Sequence, residues 1–326
     1  MKKIKEIIEK YNSSYFSKMY VFTGDKYLID LYVRHIKKMC TGSQDDVMDT
    51  LIYKGKFDIK EVIQQSQTIP FMASKRIILI KNSGILTASQ KDMGNYIKKN
   101  IDSIPESSIV IFIEDEIDKR NAFYKHMKNE DVFCEFAPSE GQLLEWIQGQ
   151  AKEQKGKISA STALFFLRFV RGDMTHLNNE MAKVFNFSCE ITEETIRSIC
   201  QESIEVIIFD LMEEIAFKKG QAALKTYRRL LDTKEAPYKI YSLIERQIRF
   251  LLITKQALSK SMDNIEIAAI LGVREFVVKD LRNQQTYFTL NELLNLYFKC
   301  ENLERGVKIG QMDIELALEL FIAELA

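Results

Sequence analysis

Two stretches of the chain, Ile77-Ile78-Leu79-Ile80 and Ile109-Val110-Ile111-Phe112-Ile113, are apolar at every position instead of at alternate ones. A strand with that pattern is buried on both faces, which parallel sheets carrying helices on either side require. Related runs lie at Met19-Tyr20-Val21-Phe22, which ends at the turn Thr23-Gly24, at Thr50-Leu51-Ile52-Tyr53, and at Val132-Phe133-Cys134-Glu135-Phe136. Segments of about 20–25 residues separate most of them, enough for the helical crossover that a parallel connection needs. Tyr27 to Met39 and Ile59 to Ser66 have helical patterning. A further helix is expected at the start, where Ile4, Ile7, Ile8 and Tyr11 share one face. Residues 1–137 are therefore predicted to form an α/β domain around an open parallel sheet of about five strands.

Pro138-Ser139-Glu140-Gly141 marks a break, with Pro138 ending the last strand and Ser139 placed to cap a helix. Beyond it no strand signal is found. Leu143, Leu144, Trp146 and Ile147 open one helix, Ala163 to Val170 forms another, and Met174 to Phe187 a third. Thr192 is a weaker cap before Ile196 and Ile199. Residues 138–205 read as a small helical domain. From Val206 to Ala326 the whole chain has helical period, and its last helix carries Ile314, Ala317, Leu318, Phe321, Ile322 and Leu325 on one stripe. Residues 206–326 read as a larger all-α domain.

Lys plus Arg and Asp plus Glu each number 46, so the formal net charge is zero. That excludes a uniformly basic nucleic-acid coat but leaves room for a local basic patch. No run reaches the ~20 apolar residues that span a bilayer, and Met1-Lys2-Lys3-Ile4-Lys5-Glu6 leads into no apolar stretch of a signal peptide. The five cysteines, Cys40, Cys134, Cys189, Cys200 and Cys300, are scattered and form no Cys-x-x-Cys pair. They read as buried or semi-buried thiols of a reducing compartment. His35, His126 and His176 have no neighbouring ligands at zinc spacing. The expectation is a soluble cytoplasmic protein with no metal and no bound cofactor.

An α/β sheet followed by a small helical domain suggests a nucleotide-binding module, yet the phosphate chemistry is missing. A P-loop wraps phosphates with backbone N–H groups and neutralises them with Lys. The first strand ends instead in Thr23-Gly24-Asp25-Lys26-Tyr27-Leu28, with one glycine and an acid where phosphate oxygens would lie. Gly55-Lys56 and Gly156-Lys157 are followed by Phe57 and Ile158, not by Ser or Thr. Ile77 to Ile80 leads into Lys81-Asn82-Ser83-Gly84, where an ATPase would place an acid for Mg²⁺. The acidic cluster Glu114-Asp115-Glu116 is followed by Lys119-Arg120 and reads as a solvated loop. No Gly-x-Ser-x-Gly elbow, His-Glu-x-x-His motif or Cys–His pairing is present, and no catalytic residue is assigned.

Two surface features stand out. Gln67-Thr68-Ile69-Pro70-Phe71-Met72-Ala73 lies between a helix and a strand, and Pro70 biases Ile69 towards extended backbone. Phe71 and Met72 either tuck under the sheet as core or stand out as an aromatic anchor beside an adaptable thioether. A basic stretch from Lys225 to Lys260 includes Arg228, Arg229, Arg246 and Arg249. It reads either as solvated helix faces or as a phosphate-binding patch. Asp118-Lys119-Arg120 with Lys125 and Lys128 is a similar case and no more specific.

The order of these features resembles the delta subunit family of the bacterial DNA polymerase III clamp loader, over nearly the full length. The resemblance rests on Tyr20-Val21-Phe22-Thr23-Gly24-Asp25-Lys26-Tyr27-Leu28-Ile29, on Gln67 to Arg76, on Asp118-Lys119-Arg120, and on Leu143-Leu144-Glu145-Trp146-Ile147. Gly172-Asp173-Met174 with Asn179 to Lys183, Ile267 to Val273, and Val307-Lys308-Ile309-Gly310 complete it. It implies an AAA+-like first domain without a working ATP site, a helical lid domain, and a helical collar domain. It further implies a component of the DNA polymerase holoenzyme that binds and opens the sliding clamp for loading onto primed DNA. Clamp contact would fall to Phe71 and Met72, led by Gln67, Ile69 and Pro70. Met72 departs from the Leu-Phe or Phe-Phe pair common in the family, and Glu275 stands after Arg274 where Pro is frequent. The implied partners are the clamp, the ATP-binding gamma/tau-type and delta-prime-type subunits through the collar, and primer–template DNA touched by Arg246, Arg249, Arg228 and Arg229. The alternatives are a divergent but active AAA+ ATPase and a helical scaffold unrelated to replication.

Overall fold

A computed structural model describes residues 16–42, 48–55, 57–87, 90–129 and 132–325. The helix expected over Ile4 to Tyr11 lies outside the described residues. Residues up to Pro138, with Asp173–Thr175, group as one compact unit, and Ser139–Gly172 with His176–Ala326 as a second.

The first unit holds strands β1 (Met19–Gly24), β2 (Thr50–Lys54), β3 (Arg76–Lys81), β4 (Ser108–Ile113) and β5 (Phe133–Phe136). They pair in the order β2-β3-β4-β1-β5, and every pairing is parallel. The two all-apolar runs are β3 and β4, side by side in register from Ile77 opposite Ile109, and buried along their length. That position explains their composition, because both faces of an interior parallel strand are covered. β2 is an edge strand and only half-buried, which is why it tolerates Tyr53 and Lys54. Helices α1 (Lys26–Thr41), α2 (Ile59–Ser66), α3 (Lys91–Asn100) and α4 (Ala122–Asn129) fill the crossovers.

In the second unit, α5 (Glu140–Glu153) opens with the cap expected at Ser139, which is a full capping box: its side chain accepts from Gln142 N while Gln142 accepts from Ser139 N. Helices α6 (Ala160–Val170), α7 (Met174–Phe187) and α8 (Glu193–Ile199) follow, and Thr192 caps α8. Contrary to expectation, strand structure does not vanish beyond Pro138. β6 (Lys157–Ile158) and β7 (Glu190–Ile191) make a parallel ladder of two residues each, too short to leave any periodicity in sequence.

Helices α9 (Ile204–Ala216), α10 (Gly220–Asp232), α11 (Pro237–Ser259), α12 (Asn264–Leu271), α13 (Glu275–Gln284), α14 (Leu290–Lys308) and α15 (Ile314–Leu325) build a main core running from Ile207 to Ile322, and Ile267 and Ala268 of α12 form a smaller cluster with Ala257 and Val278. The stripe read on the last helix is its buried face. Glu275 begins α13, where an acid favours the positive helix end. Among the cysteines, Cys189 is exposed, contrary to expectation, while the other four are buried. Burial pushes the Cys40 thiol up to about 11 and the Cys300 thiol to about 12, so neither is a thiolate at neutral pH.

Candidate functional site

The segment between α2 and β3 is braced at both ends. Ser66, the last residue of α2, accepts through its carbonyl from Ser108 Oγ of β4. Ser74 donates from both its amide and its hydroxyl to the carbonyl of Cys40 in α1. Lys75 Nζ donates to the carbonyl of Glu106, and Gln67 Nε2 reaches the carbonyl of Ser103 at 3.4 Å. Between these ties the apolar side chains are in solvent: Ile69 is 84% exposed, Phe71 75% and Met72 85%. Pro70 is half-buried and Gln67 exposed. Of the two readings left open by the sequence, the one in which Phe71 and Met72 tuck under the sheet does not hold.

Sequence reading missed what shapes the middle of this loop. The Asp49 carboxylate, 1% exposed, accepts from Phe71 N at 2.6 Å, Met72 N at 2.8 Å and Ala73 N at 2.9 Å. Burial by itself would raise this carboxyl, but the three backbone donors and the Arg76 guanidinium outweigh burial and hold it below the usual range. No local signal distinguishes it, because Asp45, Asp46 and Asp49 stand within one short polar stretch. Met48, beside it, is a further exposed apolar residue.

At the ends of β1, β3 and β4, where a nucleotide fold would hold phosphates, the groups satisfy one another. Asp25 caps α1, its carboxylate accepting from Leu28 N at 3.2 Å, so a side-chain anion already occupies the helix end that would receive a phosphate. Lys26 pairs with Asp115 at 3.2 Å, Asn82 donates to Asp115 at 3.0 Å, and Lys81 approaches Asp30 at 3.8 Å. Glu114 corrects the reading of its cluster as a solvated loop. It is buried and accepts from Ser83 N, Ser83 Oγ and Gly84 N, tying the end of β4 to the loop after β3. Burial raises its carboxyl above the ordinary value, against the lowering by those bonds. Among the described residues, no group of three or more His, Cys, Asp or Glu side chains is arranged to hold a metal.

The arginines of the basic stretch are largely committed to carboxylates. Arg229 of α10 meets Glu202 at 2.7 Å and Asp210 at 3.9 Å, Arg246 of α11 meets Glu205 at 3.4 Å, and Arg249 meets Glu245 at 3.6 Å. Arg228 is exposed. Arg120 is paired with Asp118. No helix among the described residues is long and apolar enough to cross a membrane.

The family model described as DNA polymerase III, delta subunit, matches residues 20–136, and that for the DNA polymerase III delta subunit, C-terminal domain, matches residues 205–325. A DNA polymerase III subunit delta from Bacillus subtilis (strain 168) is 25% identical over 319 residues, covering 94% of this chain and 91% of the relative. The solved structure of a Bacillus subtilis DNA clamp loader delta protein superposes with a TM-score of 0.75 at 23% identity, covering 99% of each chain. The fold is an α/β domain around a five-stranded parallel sheet followed by a helix-rich region. With both halves of one family's description matched in order, and a relative aligned along nearly the whole length, this chain belongs to the DNA polymerase III delta subunit family.

Proposed function

We propose that this chain is the clamp-loader subunit that binds the ring-shaped sliding clamp and opens it for loading onto primed DNA. The observation that carries the reading is the exposure of Phe71 and Met72 on a loop tied down at both ends. Two adjacent apolar side chains held out in solvent are suited to an apolar pocket on a partner, and Ile69 and Gln67 widen the contact. The test is titration of the full chain into its own organism's sliding clamp without nucleotide. Saturable binding is expected, and a folded chain that does not bind overturns the reading.

ATP is bound and hydrolysed by other subunits, and this chain has no catalysis of its own. The capping of α1 by Asp25 and the engagement of both Lys26 and Asn82 with Asp115 support that assignment. A fluorescent ATP analogue is expected to show no saturable binding up to about 1 mM. Micromolar binding would favour the rival reading as a divergent AAA+ ATPase.

The lid spans 138–205 and the collar 206–326, and the collar joins gamma/tau-type and delta-prime-type subunits in a cytoplasmic, nucleoid-associated complex. The core from Ile207 to Ile322 supports reading the collar as a packed helical domain. Primer–template DNA is tracked through phosphates by Arg246, Arg249, Arg228 and Arg229. Their carboxylate partners are no bar, since exposed ion pairs are worth about 0–1 kcal/mol and exchange readily for a phosphate. Reversing Arg246 and Arg249 to Glu in the assembled loader should weaken DNA binding and lower its salt dependence by about two counterions. Equal affinity and slope at low salt would return these arginines to the solvated helix faces.

A further inference from the structure

Large apolar side chains on a surface loop gain by folding back onto the nearest sheet, because that removes their area from water. In the loop before β3 this collapse is opposed by one carboxylate. Asp49 is fixed by the sheet, since its own carbonyl accepts from Ile77 N of β3 at 2.8 Å. From that position its two oxygens take the amide hydrogens of Phe71, Met72 and Ala73 in succession. The backbone of the loop is turned inward on Asp49 while the Phe71 and Met72 side chains stay in solvent.

We propose that Asp49 is a positioning residue for the clamp contact, its carboxylate holding Phe71 and Met72 in the geometry that enters the pocket on the ring. The proposal rests on the reading of those two side chains as that contact. Hydrogen bonds to an ionised acceptor are shorter and stronger than neutral ones, so three of them on one carboxylate order the loop before the partner arrives. Ordering in advance lowers the entropy lost on association and so tightens binding without adding a contact. Asparagine has the same shape, but its NH₂ would face backbone N–H donors where Oδ2 now accepts two bonds.

The experiment compares full-length wild type, Asp49→Asn, Phe71→Ala/Met72→Ala and the triple variant. Each is titrated against the sliding clamp, with amide hydrogen exchange across residues 68–81 and far-ultraviolet circular dichroism measured on the free proteins. Asp49→Asn is expected to weaken clamp binding at least about tenfold. Added to Phe71→Ala/Met72→Ala it should change affinity by less than about twofold, because a residue acting through those side chains has nothing left to position. Exchange should speed up at Phe71–Ala73 and stay unchanged along β3. Wild-type affinity in Asp49→Asn overturns the proposal alone, as does an equal loss in both backgrounds, which would mark a purely structural role. Wild-type affinity in Phe71→Ala/Met72→Ala overturns the contact reading and the proposal together. Should Asp49→Asn lose its secondary structure, wild-type exchange decides. Amides of 71–73 protected at least about tenfold over an open loop support the hold, and free-loop rates overturn it.

Discussion

Replacing Phe71 and Met72 together by alanine is expected to weaken binding to the sliding clamp by about 2–4 kcal/mol, roughly thirty- to a thousandfold. The size follows from what each side chain does on association. Both are exposed in the free chain, so most of their apolar area is available to be removed from water by a partner pocket. Their loop is braced by Ser66, Ser74 and Asp49, so little ordering remains to be done on binding. The same exposure makes the control informative. Side chains that touch little in the free protein contribute little to its folding, and the double variant should melt within about 0.5 kcal/mol of wild type. Calorimetric titration alongside thermal denaturation therefore separates the two effects. An affinity loss below about threefold in a stable double variant would move the contact elsewhere on the molecule.

The largest stability effect is expected at Gly24, the last residue of β1. Its φ is +104°, a region that side chains with a Cβ rarely adopt, and a Cβ there would stand 2.5 Å from the carbonyl oxygen of Phe136. That oxygen belongs to backbone, paired in register with Gly24, and it already accepts from Asp25 N at 2.8 Å. Gly24→Ala therefore costs the strained dihedral and also pushes β5 off β1 or breaks the start of α1. Together these should destabilise the first unit by about 3 kcal/mol or more. Urea denaturation followed by circular dichroism, with hydrogen exchange on β1 and β5, would read it. A loss below about 1 kcal/mol would mean that β5, a four-residue edge strand, yields cheaply.

The two kinds of site were legible to different degrees. The sheet could be read because an interior parallel strand must be apolar at every position, and Ile77–Ile80 and Ile109–Ile113 meet that demand with no information from elsewhere in the chain. Ser139 and Thr192 could be read as caps because the capping bond closes within three residues. The position of the Phe71–Met72 loop followed from Pro70 and the helix before it. Its exposure did not, since Phe and Met are as much core residues as surface anchors.

Much of what local patterning misplaced or left open depends on a partner far along the chain. Glu114 looks solvated beside Asp115 and Glu116, yet Ser83 and Gly84, some thirty residues earlier, bury and bond it. Arg229 and Arg246 look like an open basic face until Glu202 and Glu205 arrive from the start of the helical core. Asp49 becomes an anchor only because the β2–β3 pairing carries it against amides more than twenty residues later. Short-range order thus wrote down the strands of the five-stranded sheet, the helical period beyond it, the caps and the missing phosphate loop, because those depend on neighbours within a few residues. Which side chains face solvent, which charges are spent on one another and which carboxylate shapes the exposed pair were set by folding. Burial and pairing are properties of neighbours in space, brought together here by parallel pairings and helix packing over long stretches of chain.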